Sequence, residues 1–183
     1  MKMLIPKAAK RYAQAWYKRA EEAGKLEAAL KDSQHIKDVI GESEELQQLL
    51  KNKVIAQQKK KEVLDSLFSD QVSDITVDLI TLLLEKNREE LLEAVTGAFI
   101  ESYNQHHGII DAEIRYPIEL EQDHINQLTK VLEKKTGKNV VLKFVRDPDL
   151  IGGLTIRIGD TVIDGSVRNK LQKLDALLHG TAA

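Results

Sequence analysis

At residue 109 the spacing of apolar side chains changes, and that change constrains the fold more than any other feature of the sequence. Before it, apolar residues recur every three or four positions, as one face of a helix requires. After it, "IIDAEIRYP" alternates: Ile110, Ala112, Ile114 and Tyr116 fall on one side, and Asp111, Glu113 and Arg115 on the other. A helix period and a strand period cannot share one element. The reading is therefore an α+β protein of two domains, a six-helix antiparallel bundle over 1–107 and a small β-α-β-β-β-α domain over 108–183.

The helical part reads in order. "KRYAQAWYKRAEEAG" places Ala9, Tyr12, Ala13, Trp16 and Ala20 on one face, with Gly24 as a stop. Leu26, Leu30, Ile36 and Ile40 form a second stripe ended by Gly41, and Ser43 caps a short third helix. Ile55, Val63, Leu64, Leu67 and Phe68 are the inner side of a fourth, with "KKKE" (59–62) as a solvated face. "SDITVDLITLLLEK" is apolar almost all round, which predicts the centre of the bundle. Asn87 and Glu90 read as a capping box for the sixth helix, and Gly108 ends it.

In the second part a helix over 119–135, with Leu120, Ile125, Leu128 and Leu132 inward, precedes strands at "VVLKFVRD", "GLTIRIG" and "TVID". The last helix carries Val167, Leu171, Leu174 and Leu178 on one stripe.

Composition limits the function. The 183 residues hold 27 Lys+Arg against 29 Asp+Glu, a formal charge of −2, which argues against a nucleic-acid binder. No cysteine is present, so disulfides and thiolate chemistry are excluded. The longest apolar run, "LITLLL", falls far short of the ~20 residues of a spanning helix, and the N-terminus does not read as a secretory signal. Direct membrane insertion is not expected.

The stretch "LIGGLTIRIGDTVIDGS" decides between enzyme and scaffold. Its spacing from Gly153 to Gly159 is one too long for a phosphate loop, and Asp160 stands where lysine belongs. Apolar residues separate Asp160 from Asp164, unlike a calcium loop. Gly159-Asp160 instead suits a two-residue hairpin with glycine first, of type II′, and Asp164-Gly165-Ser166 a turn and helix cap. Gly152, Gly153, Gly159, Asp160, Asp164 and Ser166 are accordingly expected to be structural. His106 and His107 lack the spacing of a zinc helix, and "KKTGKN" reads as a helix end. No catalytic set, cofactor site or metal site is expected.

Two surfaces stay open. The small-residue face around Tyr12 and Trp16 is either bundle core or a place for another helix, since small residues permit close approach and aromatics favour interfaces. The last helix either docks on its own sheet or offers its basic side (Arg168, Lys170, Lys173) to a partner.

"DPDLIGGLTIRIGDTVIDGSVRNKLQKL" resembles the C-terminal signature of the ATP synthase δ subunit, whose mitochondrial counterpart is the oligomycin-sensitivity conferral protein. "RYAQAWYKRA" is similar to that family's first helix and "LLLEKNREELL" to its fifth helix and the following Asn-Arg. "RDPD" and Trp16 depart from the commoner residues at their positions. The resemblance implies a non-catalytic stator subunit on the cytoplasmic side of a bacterial inner membrane. Its bundle would hold the N-terminal helices of the α subunits through a groove of helices one and five, for which Tyr12, Ala13, Ala15, Trp16, Leu79 and Leu83 are the implied residues. Its second domain would hold the ends of the b subunits through Arg168, Leu171, Leu174 and Leu178. A nucleotide-handling enzyme and a generic helical adaptor are the alternative readings.

Overall fold

The computed structural model describes residues 5–118, 121–159 and 161–178, with side chains described no further than Asp175. It divides into two compact units that meet in sequence at His106/His107. The first holds α1 (Lys7–Glu22), α2 (Leu26–Glu42), α3 (Glu44–Lys51), α4 (Gln57–Phe68), α5 (Asp74–Glu85), a 3-10 turn (Glu89–Leu91) and α6 (Leu92–His106). The second holds β1 (Ile109–Tyr116), α7 (Gln122–Thr136), β2 (Asn139–Arg146), β3 (Thr155–Ile158), β4 (Thr161–Asp164) and α8 (Val167–Leu178).

Alanines dictate how α1 packs. Ala9, Ala13 and Ala20 are fully buried, and the missing bulk lets α6 lie close along α1. Trp16 and Tyr17 then close over Phe99 of α6, with ring centroids 4.2 and 5.7 Å away. Tyr17, outside the expected stripe, is thus core, and its burial, helped by the charges of Glu21 and Tyr103, pushes its hydroxyl pKa up.

The centre of the first unit is α6 and not α5 as its apolar sequence suggests. Helix α6 runs along both α1 and α2 and buries Leu92, Val95, Ala98, Phe99 and Tyr103. Helix α5 keeps Asp74, Asp78, Leu82 and Glu85 exposed, so one of its sides is open.

Four further expectations need correction. Gly41 lies inside α2, which runs on to Glu42, while Ser43 Oγ accepts from the Leu46 N–H at 3.2 Å and starts α3. Asn87 does not cap α6. It has φ +52°, and the Arg88 N–H reaches back to the Leu83 carbonyl at 2.8 Å, the signature of a left-handed residue closing α5. Within "KKKE", Lys60 is buried, and it faces Glu89; Leu67, expected inside, is 37% exposed.

The sheet of the second unit runs β2-β1-β3-β4, with β1 and β2 parallel and the other two pairs antiparallel. Register places Ala112 opposite Ile158 and Ile114 opposite Ile156. These residues and Val140 form one apolar face, which Leu128 and Leu132 of α7 cover. The other face carries charge ladders, Lys143 to Asp111 at 2.8 Å and Arg115 to Glu113 at 2.9 Å. Ile125 is half-buried and Leu120 lies outside the described residues.

Candidate partner-binding surfaces

Helices α1 and α5 lie side by side and antiparallel. Lys25, just past the end of α1, is 3.6 Å from Asp74 at the start of α5. At the opposite end, the Arg88 guanidinium sits 5.9 Å from the centre of the Tyr12 ring. Along this pair some residues are left unconsumed by the core. Ala15 is exposed, Tyr12 is half-buried, and Leu82 on α5 is 39% exposed.

The six residues implied for this groove therefore divide. Tyr12 and Ala15 reach the surface, whereas Ala13, Trp16, Leu79 and Leu83 are buried beneath it. The reason is geometric: Ala13 and Trp16 turn toward α6 and Phe99, and Leu79 and Leu83 toward the interior. Leu82 has no distinguishing mark in the sequence, because an apolar run hides which of its leucines points outward.

The start of α5 is fixed from α2. Asp32 is buried, and its Oδ2 accepts from the Ser73 N–H at 2.9 Å, from Ser73 Oγ at 2.6 Å and from Thr76 Oγ1 at 2.6 Å. The carboxylate thus caps a helix 41 residues away in sequence, and it ties the start of α5 to α2.

On the second unit the glycine stretch is closed by its own backbone. A Cβ on Gly153, at φ +80°, would lie 2.4 Å from the Gly165 carbonyl oxygen, and one on Gly152 would meet Val167 at 3.1 Å. The Gly165 N–H bonds the Leu154 carbonyl and the Val167 N–H the Gly152 carbonyl, both at 3.0 Å. The backbone at Gly152, Gly153 and Gly165 is thus packed against itself. Gly159 has φ +57° and joins β3 to β4; its neighbour Asp160 lies outside the described residues.

Ser166 is buried and caps α8, its Oγ accepting the Asn169 N–H at 3.2 Å. Asp164 accepts the Ser166 N–H at 2.9 Å. Hydrogen bonds from the Ser166 side chain and backbone, helped by the charge of Lys173 against a desolvation cost, hold the Asp164 carboxyl below the usual carboxylate range.

Beyond this cap, Leu171 and Leu174 are 59% and 55% exposed, Arg168 is exposed, and the side chain of Leu178 lies outside the described residues. Leu171 and Leu174 are not packed on their own sheet, whose apolar face α7 covers.

Among the described residues, no group of three or more His, Asp or Glu side chains is placed to hold a metal ion, and no helix is long and apolar enough to cross a membrane. His106 ends α6, stacked on Tyr17 at 4.8 Å and within 2.7 Å of the Ser102 carbonyl.

Comparison with known proteins identifies the family. The family model described as ATP synthase delta (OSCP) subunit matches residues 8–178. ATP synthase subunit delta of Desulforamulus reducens is 36% identical over 176 residues, covering 96% of this chain and 97% of the relative. That of Salinibacter ruber is 38% identical over 173 residues, covering 94% and 91%. In fold, a chain of the cryo-EM structure of the Toxoplasma gondii mitochondrial ATP synthase hexamer matches with a TM-score of 0.73 at 19% identity, over 94% of this chain and 98% of that one. The chain therefore belongs to the ATP synthase delta (OSCP) subunit family, and it is a structural subunit rather than an enzyme.

Proposed function

We propose that this stator-type subunit links the N-terminal helices of the α subunits, at the top of the catalytic head, to the ends of the b-subunit stalk. It thereby holds the head still against rotor torque, at the cytoplasmic side of a bacterial inner membrane. The observation that carries the reading is that each unit leaves apolar helical residues at its surface: Tyr12, Ala15 and Leu82 in the first, Leu171 and Leu174 in the second. An adaptor needs two such faces and no reactive group.

The α-subunit site is the α1–α5 groove. An incoming amphipathic helix lays its apolar stripe over Ala15, where a small side chain allows close approach, and against Tyr12 and Leu82. Ala13, Trp16, Leu79 and Leu83 support this floor from beneath. Arg168, Leu171, Leu174 and Leu178 form the stalk site. The self-packed backbone at Gly152, Gly153 and Gly165 speaks against the nucleotide-handling alternative.

Trp16 is the only tryptophan and underlies the groove, so its emission tests the first half of the proposal. Titration with a synthetic N-terminal peptide of the cognate α subunit should give a saturable change. Ala15→Asp, which puts a charge on the floor while leaving the core alone, should weaken it at least tenfold. A flat titration in the wild-type chain contradicts the groove assignment.

A further inference from the structure

We infer that α8 is one half of a two-helix seam whose other half is an amphipathic helix with acidic residues beside its apolar stripe. The inference rests on the stalk reading for which chain supplies that helix.

The spacing is the first ground. Val167, Leu171 and Leu174 stand four and then three residues apart, and Leu178 continues the series by four. A 4-3-4 series is the seam of paired helices rather than the broader stripe of a helix buried on a sheet. Burial is the second ground. Val167, Leu171 and Leu174 are 37%, 59% and 55% exposed. On the side of α8 that meets its own unit, Asn169 is half-buried and its Nδ2 donates to the Asp164 carbonyl at 2.8 Å, while Val167 lies against Gly152. The helix is thus anchored by its cap, Asn169 and Val167, with Leu171 and Leu174 turned outward.

Charge selects the occupant. Arg168 and Lys170 flank the seam on opposite sides, in the positions where paired helices place their interhelical ion pairs. Both are exposed, and neither forms an ion pair with another described residue. A partner helix presenting acidic residues at its own flanking positions meets both. With 12 residues, α8 spans under two heptads, so the flanking charges matter more to the choice of partner than they would in a long coiled coil.

The test titrates the full-length chain with the soluble end of its cognate b subunit, by calorimetry at low and at high salt. Leu171→Asp/Leu174→Asp should abolish binding. Arg168→Glu/Lys170→Glu should weaken it at least tenfold and remove the salt dependence shown by the wild type. All four side chains are on the surface, and retained amide signals of Ser166 and Asn169 show that the α8 cap persists. If the charge reversal leaves binding unchanged while the leucine change abolishes it, the acidic occupant is wrong. If both variants bind as the wild type does, α8 is not the seam, although the stalk reading stands. A wild-type chain that binds no b overturns the stalk reading itself. Self-association abolished by the leucine change makes the occupant a second copy and overturns the acidic helix.

Discussion

Lys60 of α4 donates from Nζ to Glu89 Oε1 at 2.5 Å, and the two side chains are only 2% and 9% exposed. The ammonium also reaches the Leu50 carbonyl at 3.3 Å, so the pair ties α3, α4 and the 3-10 turn together. Removing one partner strands the other charge, which costs about 3–5 kcal/mol. Lys60→Met and Glu89→Leu should each destabilise by roughly that amount, while the double substitution should lose far less. Urea unfolding followed by Trp16 emission measures all three. Additive losses would mean the two groups do not act as a pair.

Asp32→Ala removes the acceptor for three donors at the start of α5. Three hydrogen bonds to a charged acceptor predict a loss of at least about 3 kcal/mol in the same urea experiment. Because α5 is one wall of the groove, the variant should also bind the α-subunit peptide more weakly. Unchanged stability would show that water replaces the carboxylate without cost.

Gly153 and Gly159 separate two costs of a side chain. Both have positive φ, but a Cβ at Gly159 meets nothing within 4 Å, whereas one at Gly153 runs into the Gly165 carbonyl. Gly159→Ala should therefore cost about 1 kcal/mol of backbone strain, and Gly153→Ala clearly more. Amide hydrogen exchange in β3 and β4 reports the difference. Equal effects would contradict the close approach of 153 to 165.

Acid should loosen the start of α8. The folded Asp164 carboxyl lies below the usual carboxylate range, so its contribution is complete above that range and is lost as pH falls through the lowered value. Ser166→Ala should move the Asp164 titration up toward the ordinary range and cost about 1 kcal/mol of cap energy. An NMR titration of the Asp164 carboxyl checks both. A midpoint that Ser166→Ala leaves in place would contradict the role given to Ser166.

The elements were legible in the sequence where local rules decide them. Gly24 and Gly137 end helices at φ +65° and +66°, Ser43 and Ser166 cap, and the alternation at 109–116 is a strand. What tertiary contacts decide was not legible. Lys60 reads as a surface lysine because its partner is 29 residues away, and Asp32 gives no local sign that it caps α5. Asn87 has the chemistry of an N-cap and also that of a left-handed residue, and the preceding helix claims it first. The small-residue face of α1 was legible, but Ala13 and Trp16 on it are buried, and only packing reveals that. For α8, the stripe was visible while its outward direction was not, since that depends on α7 already covering the sheet.

One copy of this chain, on the proposed reading, joins head to stalk. Native mass spectrometry of the chain mixed with its own organism's catalytic head and the soluble end of b tests this directly. A single complex containing head, b and one copy of the chain is expected, with no head–b complex when the chain is left out. A chain that binds only one of the two, or a head–b complex that forms without it, would contradict the linking role.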